Sequence, residues 1–537
     1  MIVPTLTVLC LSALWSTLAW SSPASSGSQL IVGNGADVAT LDPHKAQGVP
    51  EGRVLRDMFE GLVRIDGHGQ VIPGVAQHWS HKKHTIYHFH LRHDAKWSNG
   101  DPVTASDFVY SFRRAVDPKT ASAYAWYVSL AHILNAEAIY RGKADPSTLG
   151  VSATDPHTLT ITLDRPVPYF VEMLGHTTLL PVHQNTVTHY EQAWTKPEHM
   201  VSNGPFQIVN WTINEAINLT RNPNYWDNAH TRFDRVQYLS LEDATSEMFR
   251  FLTGEIDITS SIPVDQFERL TYERPDQIWV QPALCTEFYQ FNTARAPFDD
   301  VRVRRALSLA LDRELIAYKL LGQGRAPAYT FIPNYMSGYE EWTPPYALMT
   351  QDERDQKAQA LLADAGYDHA HPLTFTLLYN TSDDIKKVAV AAAAMWQSTL
   401  GVRVKLENQE WKSYLSTMNQ GEYDVARSAW CADYNEPSAM LAYLESDKLG
   451  GRQFADTHYD ALVHQASLTQ AADARREAYR LADAYLVETV PIIPIFYPVR
   501  AHLMAASLRG FGEDQAGPLS SQDLYRAPAL SGESVPE

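Results

Sequence analysis

Residues 427–437 read Arg427-Ser428-Ala429-Trp430-Cys431-Ala432-Asp433-Tyr434-Asn435-Glu436-Pro437. Between Arg427 and Asp433 a guanidinium, an indole, a thiol and a carboxylate fall within seven residues. The preceding Glu422-Tyr423-Asp424-Val425-Ala426 alternates with the period of a strand, which places Tyr423, Val425 and Arg427 on one face. Asn435-Glu436-Pro437 reads as a helix start, with proline near the first helical position. Trp430, Cys431 and Asp433 are therefore expected in a strand-to-helix turn, where binding groups concentrate. The plainer alternative makes Asp433 a helix cap and Arg427 an edge-strand charge, and spacing alone favours it.

The chain has 537 residues, more than one ordinary core accommodates, so two or three lobes are expected. With 45% hydrophobic and 20% charged residues its composition is that of a soluble globular protein. A net charge of −18 argues against nucleic acid or an anionic membrane as the main partner. Residues 2–20 are apolar with scattered Ser and Thr, and Ser21-Ser22-Pro23-Ala24-Ser25-Ser26-Gly27 follows. That is the pattern of a secretory signal over 1–26, although no Lys or Arg precedes the apolar run. Cys10 lacks the small preceding residue of a lipid-attachment site, so a lipid anchor is not expected. No later stretch is long and apolar enough to span a bilayer.

Removal of the signal leaves Cys285 and Cys431 as the remaining cysteines. Two cysteines in an exported chain suggest one disulfide, which would pin the 427–437 stretch to the segment around Cys285.

Along the chain, Thr85–Leu91 alternates as a strand. Trp97–Pro102 is a turn, and Thr104-Ala105-Ser106-Asp107 opens a helix through Arg114. Residues 155–163 and 206–220 read as further strands. Arg302 to Leu321 reads as one amphipathic helix, capped by Asp299 or Asp300 and stopped by Gly322. Helices at 352–365 and 384–400 then alternate with strands at 373–379 and 402–407, the grammar of an α/β lobe. The Pro491–Pro498 run is extended and suited to crossing between lobes. His78, His81, His84, His88, His90 and His93 invite a metal reading, with His88 and His90 on one strand face. No carboxylate or cysteine falls at ligand spacing, so a solvated face is expected there, with no metal and no cofactor. No Gly-x-Ser-x-Gly, His-Glu-x-x-His, phosphate loop or Gly-x-Gly-x-x-Gly occurs. A disulfide at Cys431 would remove its thiol as a nucleophile, and no sequence feature points to an enzyme.

Ten stretches in order extend the likeness beyond one motif. They are Leu41–Lys45, Gly48–Glu51, Phe59–Leu62, Trp97–Ser111, Val116–Tyr124, Asn203–Phe206, Ala283–Thr286, Ala296–Arg304, Asn408–Trp411 and Trp430–Pro437. Together they resemble the periplasmic oligopeptide-binding proteins of ABC importers, within the peptide- and nickel-binding solute-receptor family. The resemblance implies an α/β, two-lobed, three-domain clamp with a hinge. One lobe would comprise 27–59, 184–284 and 500–537, with 60–183 inserted as a second domain; the other lobe would be 285–499. By position, Asp433 is similar to the carboxylate that holds a peptide's α-ammonium, and Arg427 to the group that meets its C-terminal carboxylate. Backbone at Val49, Ala429 and Cys431 would bond the peptide main chain, while Tyr124, Phe288, Trp411 and Trp430 would line side-chain pockets.

Some positions depart from the family pattern. Phe288 stands where relatives often carry Tyr, Gln290 replaces a carboxylate, Ala429 replaces Gly, and Ile385 replaces a His. Ile385 offers nothing to a terminal carboxylate, so peptide length does not carry over. The implied protein is a monomeric, non-enzymatic periplasmic receptor that delivers short peptides to an inner-membrane ABC permease. A murein tripeptide receptor on the same clamp is the nearest rival; a nickel- or haem-type receptor and a peptide hydrolase are further ones.

Overall fold

The computed structural model describes residues 28–339, 342–368, 370–446, 448, 453–469, 471–511 and 517–527. The expected signal over 1–26, and Cys10 with it, lies outside the described residues. Among the described residues no helix is long and apolar enough to cross a membrane.

Three larger sheets organise the chain. In the first, Gln29–Gly35 runs parallel to Arg235–Ser240, which is followed by the antiparallel Ala216–Arg221 and Phe206–Thr212. Residues 206–220, expected as strand, thus form a hairpin turned at Asn214 with a positive φ. The second sheet is antiparallel, in the order Ala76–Lys82, Ile86–Leu91, Thr158–Thr162, Val151–Asp155. Tyr87 and Phe89 alternate inward from it and are buried, as the period of two requires. Helix Ala105–Val116 belongs to the same body, started by a reciprocal capping box between Thr104 and Asp107.

The third sheet has six strands and carries the 427–437 stretch. Its order is Ala326–Pro327, Ile492–Tyr497, Cys285–Phe291, Val425–Cys431, Thr374–Asn380, Arg403–Gln409. Helix Gln351–Asp364 starts at a Thr350/Glu353 capping box, and helix Asp383–Leu400 stops at Gly401 with φ 71°. The proline-rich run becomes the strand Ile492–Tyr497 inside this sheet. Pro494 cannot donate to a ladder, and the register against Cys285–Phe291 shifts beside it, between Glu287 and Phe288.

The helix expected over 302–321 is instead two elements. Helix Val301–Leu309 is capped by Asp300, whose side chain accepts from Arg302 N, and a π-helical turn follows at Leu315–Leu321. The break exposes carbonyls that the wholly buried Arg313 then uses. Its guanidinium donates to Ser308, Leu311, Ala328 and Pro494 carbonyl oxygens. Helical periodicity alone does not register a tertiary partner that competes for backbone acceptors.

Two of the shared motifs hold each other. Asn203 accepts from Glu60 N at 3.0 Å and donates to Glu60 O at 2.8 Å, while Gly204 N donates to Met58 O. A Cβ on Gly204 would lie 2.5 Å from the Met58 carbonyl carbon, so only glycine permits this approach. The Glu60 carboxylate is buried against Trp226 Nε1, at 2.7 Å, and the Tyr225 hydroxyl. Burial pushes its pKa up to about 7, against the opposing pull of those two donors. A carboxyl raised in the fold is most compatible with folding below its unfolded pKa, and that contribution is lost as pH rises through about 7. Buried His44 and His502 are held down to about 4 and about 3 by burial first and then by Arg114 or Arg53. They act oppositely, costing stability as pH falls below about 6.5. Glu60→Gln is therefore expected to raise stability at pH 8 by of order 1–3 kcal/mol, with the gain vanishing near pH 5. Urea unfolding of both proteins at the two pH values checks this.

Candidate functional site

The Cys285–Cys431 disulfide joins directly opposed residues of two neighbouring antiparallel strands. That pairing sets the register, so Glu287 faces Ala429 and Tyr289 faces Arg427. Ala432 N donates to Leu284 O at 2.7 Å. By the antiparallel alternation, Ser428 and Trp430 turn their backbone groups toward the Cys285–Phe291 strand, and Arg427, Ala429 and Cys431 turn theirs away. On that far side the Thr374–Asn380 strand pairs only at Leu377–Val425 and Leu378–Ala426. Beyond Ala426 that pairing ends, and among the described residues no strand pairs with the far side of Ala429 and Cys431. The Arg427 carbonyl is taken by the Tyr414 hydroxyl. A half-open sheet edge therefore leads from Arg427 toward Asp433.

Asp433 is not the cap of the following helix. In helix Ser438–Leu441 the Ser438 N–H donates to Glu436, whose carboxylate also receives the Tyr479 hydroxyl and pairs with Arg475. Asp433 instead meets His176, with Oδ1 3.3 Å from Nε2 and side-chain exposures of 14% and 11%. The imidazole lies between Tyr124 and Tyr127, at ring separations of 5.0 and 4.4 Å. Burial, and then the Asp433 charge, keeps both phenols protonated. Arg56, on helix Val49–Met58, is also within electrostatic reach of Asp433.

Aromatic rings close over the same place. Trp430 stacks on Tyr443 at 4.5 Å and donates from Nε1 to Ala439 O, and Trp126 approaches it at 6.1 Å. Tyr434 stacks on Tyr169 at 5.6 Å. Trp126, Tyr169 and His176 come from the body around the second sheet, whereas Trp430, Asp433 and Tyr434 come from the third. The two bodies touch across the cleft.

The remaining residues singled out from the sequence fall as follows. Val49 is the first residue of its helix and is 62% exposed. Trp411 opens helix Trp411–Gln420, half-buried, and stacks on Tyr414 at 5.6 Å. Phe288 has no exposed surface; it packs edge-on against Phe331 and Tyr443, on the side of the strand opposite Glu287. In this closed form Phe288 is enclosed by those rings. Ile385 is half-buried in the apolar core behind the third sheet. Arg427 is brought to the edge, but its fork is filled: Nε and Nη2 donate to the two Glu287 oxygens, and Nη1 donates to Asn380 at 3.1 Å. The histidines of the second sheet stack pairwise, His78 on His90 at 4.5 Å and His81 on His84 at 4.0 Å. Among the described residues no group of three His, Cys, Asp or Glu is placed to hold a metal.

His176, Trp126, Tyr169 and Glu287 were not reached from sequence. The first three follow no spacing rule relative to Asp433. Glu287 was within reach: with Cys285 opposite Cys431, a residue two positions on must face Ala429.

A clamp with a disulfide-pinned sheet edge and a carboxylate at the interlobe contact now has a counterpart among known proteins. Residues 70–451 match the family described as bacterial extracellular solute-binding proteins, family 5 (middle). The chain belongs to that family. It is 44% identical over 499 residues to the periplasmic oligopeptide-binding protein OppA of Salmonella typhimurium, covering 92% of each chain. It is also 44% identical over 474 residues, 88% of each chain, to the periplasmic murein peptide-binding protein MppA of Escherichia coli K12. A solved structure of MppA superposes with a TM-score of 0.91 at 41% identity, covering 94% of this chain and 99% of that one. Haemophilus influenzae OppA in complex with the peptide RPPGFSPFR superposes at 0.89 with 39% identity, covering 93% and 99%. Against an unliganded open form of MppA the TM-score falls to 0.70. This family 5 member is therefore seen with its lobes closed, in keeping with the Trp126–Trp430 and His176–Asp433 contacts.

Proposed function

We propose that this chain is a periplasmic receptor that encloses short peptides and delivers them to an inner-membrane ABC permease. The observation that carries this reading is Asp433, a carboxylate in the closed interlobe contact, standing at the end of a half-open sheet edge. A peptide at that edge adds a strand, bonding main chain to main chain at Ala429 and Cys431, with Val49 contributing from the opposite lobe. Such bonds ignore side-chain identity, so many sequences fit. Its α-ammonium takes the place of His176 at Asp433. There a charge-assisted bond in a dry site offsets the ammonium's desolvation. Tyr124, Trp411 and Trp430, with Phe288 behind, shape the space for side chains.

The domain plan fits this action. Pro282 to Cys285 and Tyr497 to Val499 are the two places where the chain passes between the strand pair Ile278–Pro282/Val499–Leu503 and the six-stranded sheet. We take these neighbouring crossings as the hinge, with 27–59, 184–284 and 500–537 on one side, 60–183 inserted there, and 285–499 on the other. The apolar residues 2–20 serve as the export signal. The similarity to MppA supports murein tripeptide as the second reading of the same cleft.

Protein unfolded to strip bound ligand and then refolded provides the test. Calorimetry with an α-linked tripeptide is expected to show binding, and its N-acetylated twin is expected to lose about tenfold or more in affinity, the ammonium being the anchor. Equal affinity for both twins would remove Asp433 from the mechanism. Binding only of a γ-linked, diaminopimelate-containing tripeptide would favour the murein reading.

A further inference from the structure

Arg427 lies one diagonal step from Glu287, the two being on adjacent antiparallel strands. The contact is bidentate, Nε to Oε1 and Nη2 to Oε2 at 2.5 Å each, with side chains only 15% and 8% exposed. The third donor, Nη1, is engaged by Asn380. A fork of this kind matches one carboxylate, and here that carboxylate belongs to the protein. A ligand carboxylate can take the Nε/Nη2 fork of Arg427 only by expelling Glu287, which would leave a buried anion unpaired. A further cation, Arg325, sits 3.7 Å from Asp384 with its guanidinium over the Phe496 ring, and Phe496 is the residue opposite Glu287. Charges of alternating sign thus follow one another from Arg427 through Glu287 and Arg325 to Asp384.

We propose that Glu287 is a specificity residue that stands in for the ligand's terminal carboxylate at Arg427. This rests on the peptide reading above and refines its ligand class. The receptor anchors the amino terminus but does not read the carboxyl terminus of a three-residue ligand. It takes peptides whose main chain continues past Arg427, or which end there in a neutral group, as readily as it takes tripeptide acids.

Calorimetry of the stripped, full-length mature protein with a tripeptide acid and with its C-terminal amide, both with free amines, tests the idea. Wild type is expected to bind the two within about threefold, whereas Glu287→Gln, which frees the fork, is expected to favour the acid by about tenfold or more. A wild-type preference for the acid of about tenfold overturns the proposal while leaving peptide binding intact. Indifference in Glu287→Gln as well overturns Glu287 as the cause. If that variant does not fold, a wild-type series of tri-, tetra- and pentapeptides decides. Level affinity is expected, and a sharp tripeptide optimum overturns the proposal. Binding of none of these peptides overturns both this inference and the peptide reading.

Discussion

Asp433→Asn is expected to weaken binding of free-amine tripeptides by two to three orders of magnitude, about 3–4 kcal/mol, while leaving the fold intact. The amide keeps the shape and one acceptor, so the change removes the charge and little else. In wild type the incoming ammonium exchanges water for an anion in a site walled by Tyr124, Tyr127 and Trp430, where little solvent screens the attraction. Without that anion the ammonium is buried unpaired, and its desolvation is no longer offset. The N-acetylated peptide carries no charge there and is expected to bind wild type and variant alike. Calorimetry of the two peptides against the two proteins forms a closed cycle, and a coupling energy near zero would refute the ammonium contact. His176→Ala, by contrast, leaves the carboxylate in place and is expected to preserve the preference for a free amine.

Replacement of both Cys285 and Cys431 by alanine is expected to cost about 4–5 kcal/mol of stability if the chain-entropy account holds in full. The bridge closes a loop with a sequence separation of 146, so the unfolded chain gains much freedom when it is cut. Native contacts change less, because the paired residues are already held opposite each other by the ladder from Thr286–Trp430 onward and by the Ala432 N–Leu284 O bond beyond them. Urea unfolding of the double variant, and of wild type under reductant, measures the loss as a lower midpoint. Peptide affinity is expected to fall only several-fold, since Ala429 and Arg427 keep their ladder partners. An equal loss of binding and stability would mean that the bridge itself shapes the edge.

The α/β grammar was legible in the chain because its signals are local. Capping pairs such as Thr350 with Glu353, and stops such as Gly401, lie within a turn of the elements they bound. The same locality misled at residues 302–321. There the periodicity continues, but Arg313 turns inward to carbonyls on other elements and the helix breaks. The disulfide also follows from the chain, and an antiparallel pairing through Cys285 and Cys431 in turn sets Glu287 opposite Ala429.

The sequence by itself determined the family likeness, the alternation of helices and strands, the Cys285–Cys431 pairing and the choice of Asp433 and Arg427 as groups of interest. Only the tertiary structure decided what those two side chains face. Asp433 meets His176 because two bodies remote in sequence close on each other, and no periodicity encodes a contact made by closure. Arg427 meets Glu287 because one strand register and one pair of rotamers bring a fork to a carboxylate. Local propensity sets the elements; the partners of charged side chains depend on which surfaces are removed from water together, and that is a property of the assembled clamp.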